Sequence, residues 1–467
     1  MESPDPRDQR VAVIGLGAMG IVAVKNLREE GFDVTGFERS GCIGGLWRFT
    51  EDEETLSVLE STVVNVSIDR GCYTDFPFQK GTPPFCSAKQ VNQYLESYVD
   101  HFGLRPRMRL NTAIKHVARE AESNKWRLDF EFAPSEYYEK VVIATGPHHD
   151  PMMPTIQGEK VVILGLGNTG NDVAEELVGK ASSVAIAHNH GAVVKAKLIM
   201  NEAFGKVNPS WNLDPAPSIK VVNPVVSDTL INRLHAGAIQ SIPGIKRIVG
   251  PKEIELQDGK IIEADTIICC TGYKYSFDLL APQISPAAER SSAWLDATGS
   301  KGRPLPRLYQ NVFSLKEPDS LAFLGCAWFV TSAFSLADIA SMCIAQVWAG
   351  RAKLPTQLEM EQWMDQQEKR ISSLAQRGTV IPASVPARDW LIWADKTAGM
   401  GVEEHLGWGL KGWLFWLKQG SLWSMLMDGP QTSAAWRLFD GRRKKWDGAR
   451  AEIEQANASN IDDNKQD

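Results

Sequence analysis

Residues 11–20 read Val11-Ala-Val-Ile-Gly15-Leu-Gly17-Ala-Met-Gly20, and the fold follows from them. An apolar run with no charge, closed by glycine, has the composition of a parallel strand covered on both faces. The glycines then divide the work. Gly15 allows the tight turn, Gly17 lets a pyrophosphate approach the backbone, and Gly20 lets helix and strand pack closely. A helical pattern runs on from Ala18 and Met19 through Lys25, Leu27 and Glu30. A second strand, Phe32 to Phe37, ends at Glu38, 18 residues after Gly20. An anion would sit on the positive end of the helix. A carboxylate at Glu38 would accept hydrogen bonds from an unphosphorylated ribose and repel a 2′-phosphate, which fits FAD or NAD.

The pattern returns 150 positions later. Lys160-Val-Val-Ile-Leu164 leads into Gly165-Leu-Gly167-Asn-Thr-Gly170, a helix is expected over Asn171 to Val178, and a strand over Ser183 to Ala187. Here the strand is followed by His188-Asn-His190, with no carboxylate, and by Lys195 and Lys197. That suits the 2′-phosphate of NADP. Two further apolar strands end alike, Lys140-Val-Val-Ile-Ala-Thr145-Gly146 and Thr266-Ile-Ile-Cys-Cys-Thr-Gly272. The expected fold is therefore α/β, with two Rossmann-like dinucleotide-binding domains: an FAD domain holding an inserted NADP domain, plus a helical C-terminal cap. The expected boundaries are 1–156 for the first FAD part and 157–270 for the NADP domain. The FAD return and cap take 271–455, and 456–467 form a disordered tail. Pro147 to Gly158 reads as a linker, 282–306 is turn-rich and unassigned, and the chain from Leu354 on is mainly helical.

Composition narrows the function. Lys plus Arg total 50 against 57 for Asp plus Glu, a net charge of -7, which argues against a nucleic-acid partner. The histidines and the seven cysteines show no HExxH, CxxC or other metal spacing, so no metal site is expected. The polar start carries no apolar signal segment, and the uncharged run 320–337 is short for a membrane span and reads as a strand then a helix. A cytoplasmic location is expected. Eleven of the fifteen tryptophans lie at or after Trp328, densest at Trp408, Trp413, Trp416 and Trp423. The favoured reading packs them under the helical cap, with an aromatic pocket or peripheral membrane contact as the alternatives.

One nucleotide site for a flavin and one for a nicotinamide imply hydride transfer between them. The motifs also resemble, in order, those of the flavin-containing monooxygenases. Glu38-Arg39-Ser-Gly-Cys-Ile-Gly-Gly45-Leu46-Trp47 resembles the family's ribose glutamate followed by GGxW. Ser61-Thr-Val-Val-Asn65-Val-Ser67 with Tyr73-Thr-Asp-Phe-Pro77 is similar to its flavin-site asparagine segment. Gly167-Asn168-Thr169-Gly170-Asn171-Asp172-Val-Ala174 is similar to its second nucleotide motif. Thr271-Gly-Tyr273 resembles its closing turn, and 436–446 the C-terminal end of its fungal members. The resemblance implies FAD and NADPH as cofactors and a small molecule and O₂ as the other reactants. It further implies N-, S- or C-oxygenation through a C4a-hydroperoxyflavin, in secondary metabolism. Asn65 takes the place of the family's catalytic asparagine. Thr145 and Gly146 join the cofactor residues.

Two departures bear on the nicotinamide. The family's F-x-G-x(3)-H-x(3)-[YW] segment is absent, and the arginine it places after the second strand is Asn189 here. An FAD protein without NADPH turnover, a flavin oxidase and a Baeyer–Villiger enzyme are the alternative readings.

Overall fold

The computed structural model describes residues 5–52, 55–146, 159–189, 192, 194–195, 208–214, 218, 222–273, 275–289 and 291–463. The proposed linker from Pro147 to Gly158, with His148 and His149, lies outside the described residues, as do Lys197 and 464–467.

The first unit opens with β1 (Arg10–Ile14), α1 (Ala18–Glu29) and β2 (Asp33–Phe37). It continues through α2 (Ile68–Gly71), α3 (Ala88–His101) and β3 (Met108–Arg109) to a meander of β4 (Ile114–Glu120), β5 (Lys125–Phe130) and β6 (Glu136–Tyr138), then β7 (Lys140–Ile143). β1 lies between β2 and β7, parallel to both. Side chains alternate across a strand, and here both faces are covered. Val11 and Val13 join the core under α1, while Ala12 and Ile14 pack with Val117, Trp126 and Leu128 of the meander. That explains an uninterrupted apolar run.

The second unit repeats this with β8 (Lys160–Leu164), α4 (Asn168–Leu177), β9 (Ser183–His188), β10 (Val194–Lys195), β11 (Val225–Val226), α5 (Leu230–His235) and β12 (Gln240–Pro243). A second meander, β13 (Ile245–Gly250), β14 (Glu253–Leu256) and β15 (Ile261–Glu263), precedes β16 (Thr266–Cys269). The parallel sheet runs β12-β9-β8-β16. Val161 and Ile163 face α4 and α5, and Val162 faces the meander.

The chain then returns. Among its described residues, the unassigned stretch 282–306 holds the short helix α6 (Ser292–Leu295) and a 3-10 turn at Thr298–Ser300. It leads to β17 (Leu308–Tyr309), β18 (Phe313–Ser314) and β19 (Leu321–Phe323). β19 pairs parallel with β7, completing a sheet of order β17-β18-β19-β7-β1-β2-β3. The buried α7 (Ala333–Trp348) packs with α1 in the same core. The uncharged run 320–337 is thus a strand and the start of a helix. Among the described residues no helix is long and apolar enough to cross a membrane.

Helices α8 (Gln357–Ala375), α9 (Ala387–Ala398), α10 (Val402–Leu406), α11 (Leu410–Lys418), α12 (Gly420–Asp428) and α13 (Ala449–Asp463) follow. Two expectations need correction. Residues 456–463 continue α13 rather than forming a disordered tail, and Ala456 is buried. The tryptophan patch is also not a core. Trp423 packs inward, but Trp408, Trp413 and Trp416 are exposed. Burial here depends on which side α11 turns to the cap, and Phe415 and Gly412 occupy that side.

Candidate functional site

The two glycine turns sit at the carboxyl ends of the central strands β1 and β8, where open parallel sheets leave a crevice. Gly15 has φ +96°, and a Cβ there would lie 2.6 Å from the Ala144 carbonyl oxygen and 3.1 Å from Thr145 Cα. A Cβ on Gly20 would run into the Gly15 carbonyl. Gly17 differs: its nearest neighbour would be Gly45 Cα at 3.7 Å, an ordinary contact. The second turn behaves alike. Gly165, at φ +116°, faces the Cys270 carbonyl at 2.5 Å, Gly170 faces Gly165, and nothing lies within 4 Å of a Cβ on Gly167. The protein's own backbone therefore demands the first and third glycines and leaves the space before the second open. Both following helices begin at that open glycine with no side-chain cap and no acidic residue in the first turn. Their amide groups present positive potential to an incoming anion.

The surrounding residues fit a dinucleotide at the first turn. Gly44 and Gly45 have φ of +104° and +55°, and Gly44 bridges Gly17, so glycine backbone faces glycine backbone. Leu46 and Trp47 follow in a short helical turn, with the Trp47 ring 6.1 Å from that of Phe334. Half-buried Glu38 directly follows β2. One carboxylate oxygen accepts from Leu16 N at 3.0 Å and the other from Ser40 N at 3.0 Å, which aims it beside the turn. Arg39 is exposed. Thr145 and Gly146 follow β7 and are exposed, with Gly146 at φ +80°.

Asn65 is exposed on a loop that is pinned at both sides. Val64 N donates to Cys86 O at 2.9 Å, and Ala88 N to Thr62 O at 2.8 Å. At the start of the loop, Ser61 lies beside Glu176 of α4 and, with Lys180, holds that carboxyl below its ordinary range. The Asn65 loop thereby touches the second unit.

At the second turn the expected residues separate. Thr169 is exposed. Asn168 is engaged by the protein: its Nδ2 donates to Pro224 O at 3.1 Å and its Oδ1 accepts from Val226 N at 2.8 Å. Asn171 is buried and donates to Asp172 at 3.3 Å. Asn189 is exposed just after β9, and its side chain lies over Gly244. The Lys195 side chain lies outside the described residues.

Sequence reading quotes two further residues, Thr271 and Tyr73, within its motifs without giving either a role at the turns. Thr271 backs Gly165 as Thr145 backs Gly15, with Thr271 N 3.6 Å from a Cβ placed there. The shared Thr-Gly ending was the signal. Tyr73 is the other: its hydroxyl donates to the Ala18 carbonyl at 2.5 Å, bracing the turn from behind, and burial pushes its pKa well up.

Comparison with known proteins identifies the family. A family model described as flavin-binding monooxygenase-like matches residues 8–157 and 195–461, leaving the second glycine turn outside the matched segments. Monooxygenase aurF of Gibberella zeae is 37% identical over an alignment 513 positions long, gaps included, covering 96% of this chain and 97% of that protein. The N-oxide-forming dimethylaniline monooxygenase 4 of Homo sapiens is 26% identical, covering 95% and 87%. In fold, the chain is similar to the S-allyl-L-cysteine S-oxygenase of Allium sativum, with TM-score 0.63, 22% identity, and 97% and 99% coverage. It is also similar to cyclohexanone monooxygenase, with TM-score 0.59, 14% identity, and 84% and 97% coverage. With the family match running over most of its length and the 37% relative over nearly all of it, this chain belongs to the flavin-binding monooxygenase-like family and is an oxidoreductase.

Proposed function

We propose that the chain is an FAD-dependent, NADPH-using monooxygenase that transfers one oxygen atom of O₂ to nitrogen, sulfur or carbon of a small molecule. The observation that carries this is the paired glycine turn, open only at Gly17 and Gly167. Two such cradles in one chain suit one flavin nucleotide and one nicotinamide nucleotide. The names of the similar proteins span sulfur and nitrogen oxygenation, which supports the class of reaction and leaves the substrate open.

In this reading the first turn of α1 holds the FAD pyrophosphate, and Glu38 accepts from the ribose hydroxyls with the acceptor capacity its backbone partners leave. Bound FAD supplies hydride acceptance and O₂ activation. Asn65 donates a hydrogen bond at the reacting edge of the flavin, positioned by its pinned loop. Tyr73 and Thr145 hold the turn in shape. Gly167 and the first turn of α4 bind the nicotinamide nucleotide, and the lack of a carboxylate after β9 admits a 2′-phosphate.

A second reading, an FAD protein without NADPH turnover, draws on Asn189 standing where the family carries arginine. One experiment separates the two. Purified protein is expected to be yellow with one FAD per chain and to bleach on anaerobic mixing with NADPH. A yellow protein that NADPH leaves oxidised establishes the second reading, and a colourless one removes both.

A further inference from the structure

Helix α11 turns its apolar side outward. Leu410, Trp413, Leu414 and Leu417, at spacings of three and four, form one stripe. They are 78%, 49%, 43% and 69% exposed, while Phe415 is buried against the cap. Trp408 just before the helix is 92% exposed, and Trp416 45%. At ~150–250 Å² per buried aromatic ring, the exposed parts of these three tryptophans alone present roughly 300–450 Å². That is already the size of the largest patch on a typical monomer. An amphipathic helix normally puts this stripe inside; here nothing among the described residues covers it.

The charges around it select the occupant. Across residues 406–427 the ionisable side chains are Lys411 and Lys418, with no Asp or Glu, in a chain of net charge -7. Arg450 of α13, ion-paired with Glu454 at 2.7 Å, also donates to Gln419 at 3.0 Å between α11 and α12, which leaves Lys418 as the basic residue of this stretch with no carboxylate partner among the described residues. Lys411 extends to the rim, paired with Glu404. Outward Trp and Leu flanked by basic residues match an interface in which apolar rings sit at the headgroup level and lysines meet anionic phosphates. A nine-residue helix is far too short to span a bilayer, so it lies in the surface. We propose that Trp408 and α11 form a monotopic docking site for an anionic phospholipid bilayer. The inference is independent of the proposed reaction.

The test is flotation of the full-length protein with vesicles of phosphatidylcholine alone or with one-third phosphatidylserine. Wild type is expected to float with the anionic vesicles and to be weakened by 0.5 M salt, as screening requires. A Trp408→Ser, Trp413→Ser, Leu417→Ser variant should lose about tenfold or more of the bound fraction, with an unchanged thermal melt because these side chains are exposed. Lys411→Glu with Lys418→Glu should remove the preference for anionic vesicles while keeping weak binding. The proposal is overturned if wild type stays unbound with both vesicles, or if the triple variant floats equally well. It is overturned too if light scattering shows a dimer that the triple substitution dissociates while neither protein binds vesicles, because the stripe would then be covered by a second copy.

Discussion

At the scale of single residues, the two turns separate what the fold needs from what a ligand needs. Gly15 and Gly17 are two positions apart, but only Gly15 is held at positive φ against a carbonyl. Gly15→Ala is expected to destabilise the protein by ~1–3 kcal/mol, since strained left-handed backbone and a steric clash both act on the folded state. Gly17→Trp should leave the melting temperature of the flavin-free protein nearly unchanged and abolish flavin binding, because an indole would fill the pyrophosphate space. Thermal melts with flavin absorbance read both effects. A Gly17→Trp protein with full flavin content would remove the first turn from the cofactor site.

At the scale of elements, the loop 61–67 joins the two units through Ser61 and Glu176. If Asn65 positions the oxygen chemistry, Asn65→Ala should bind FAD and accept hydride normally. Product should fall about tenfold or more, the equivalent of one lost hydrogen bond, with hydrogen peroxide appearing instead. Unchanged coupling of NADPH consumption to product would exclude the role. Elements of this kind were unevenly legible. β1, α1 and β8 could be read because an apolar run, a glycine turn and a helical period each leave a local mark. The start of α4 was placed at Asn171 but lies at Asn168, since the helix begins immediately after the open glycine. The outward face of α11 was not legible: its spacing marks a helix with one apolar side, and only tertiary packing decides which way that side points. Asn168 likewise looked like a ligand-binding side chain until Pro224 and Val226 came to meet it.

At the scale of the molecule, one buried arginine ties the C-terminal cap to the first helix. Arg437 is 1% exposed. It donates to Thr74 Oγ1 at 3.0 Å, Glu29 at 2.9 Å and Asn26 Oδ1 at 2.7 Å, with Asp75 at 3.5 Å and Asp338 at 3.8 Å. Asp338 in turn accepts from Thr74 N and Asn26, each at 2.7 Å, and Lys25 pairs with Asp75. Removing the guanidinium would strand buried carboxylates, so Arg437→Met should cost ~3–5 kcal/mol, read by denaturant unfolding. The pH dependence has a definite sign. Burial alone would raise the Asp75 pKa, but Arg437 and Lys25 outweigh it and hold the carboxyl below its ordinary 3.8. Its contribution to stability is therefore complete above pH 3.8 and lost as pH falls further. Wild type should weaken on that acid limb, and Asp75→Asn should flatten it; an unchanged slope would assign acid lability to other groups. None of this cluster was visible beforehand, because the contact from Asn26 to Arg437 spans 411 positions and leaves no local pattern.

The pairing of β19 with β7 has a consequence for how the chain is made. Residues 140–143 wait for residues 321–323 before their sheet edge is covered, and α1 waits for α7 and then for Arg437. The unit between them, from β8 to β16, needs nothing outside its own stretch to pair its strands. On a ribosome, where domains fold as they emerge, the part translated first would be the part finished last. During that delay β7 presents an apolar edge, a template for aggregation, which gives this enzyme a use for chaperones that a sequentially built protein of the same size would lack.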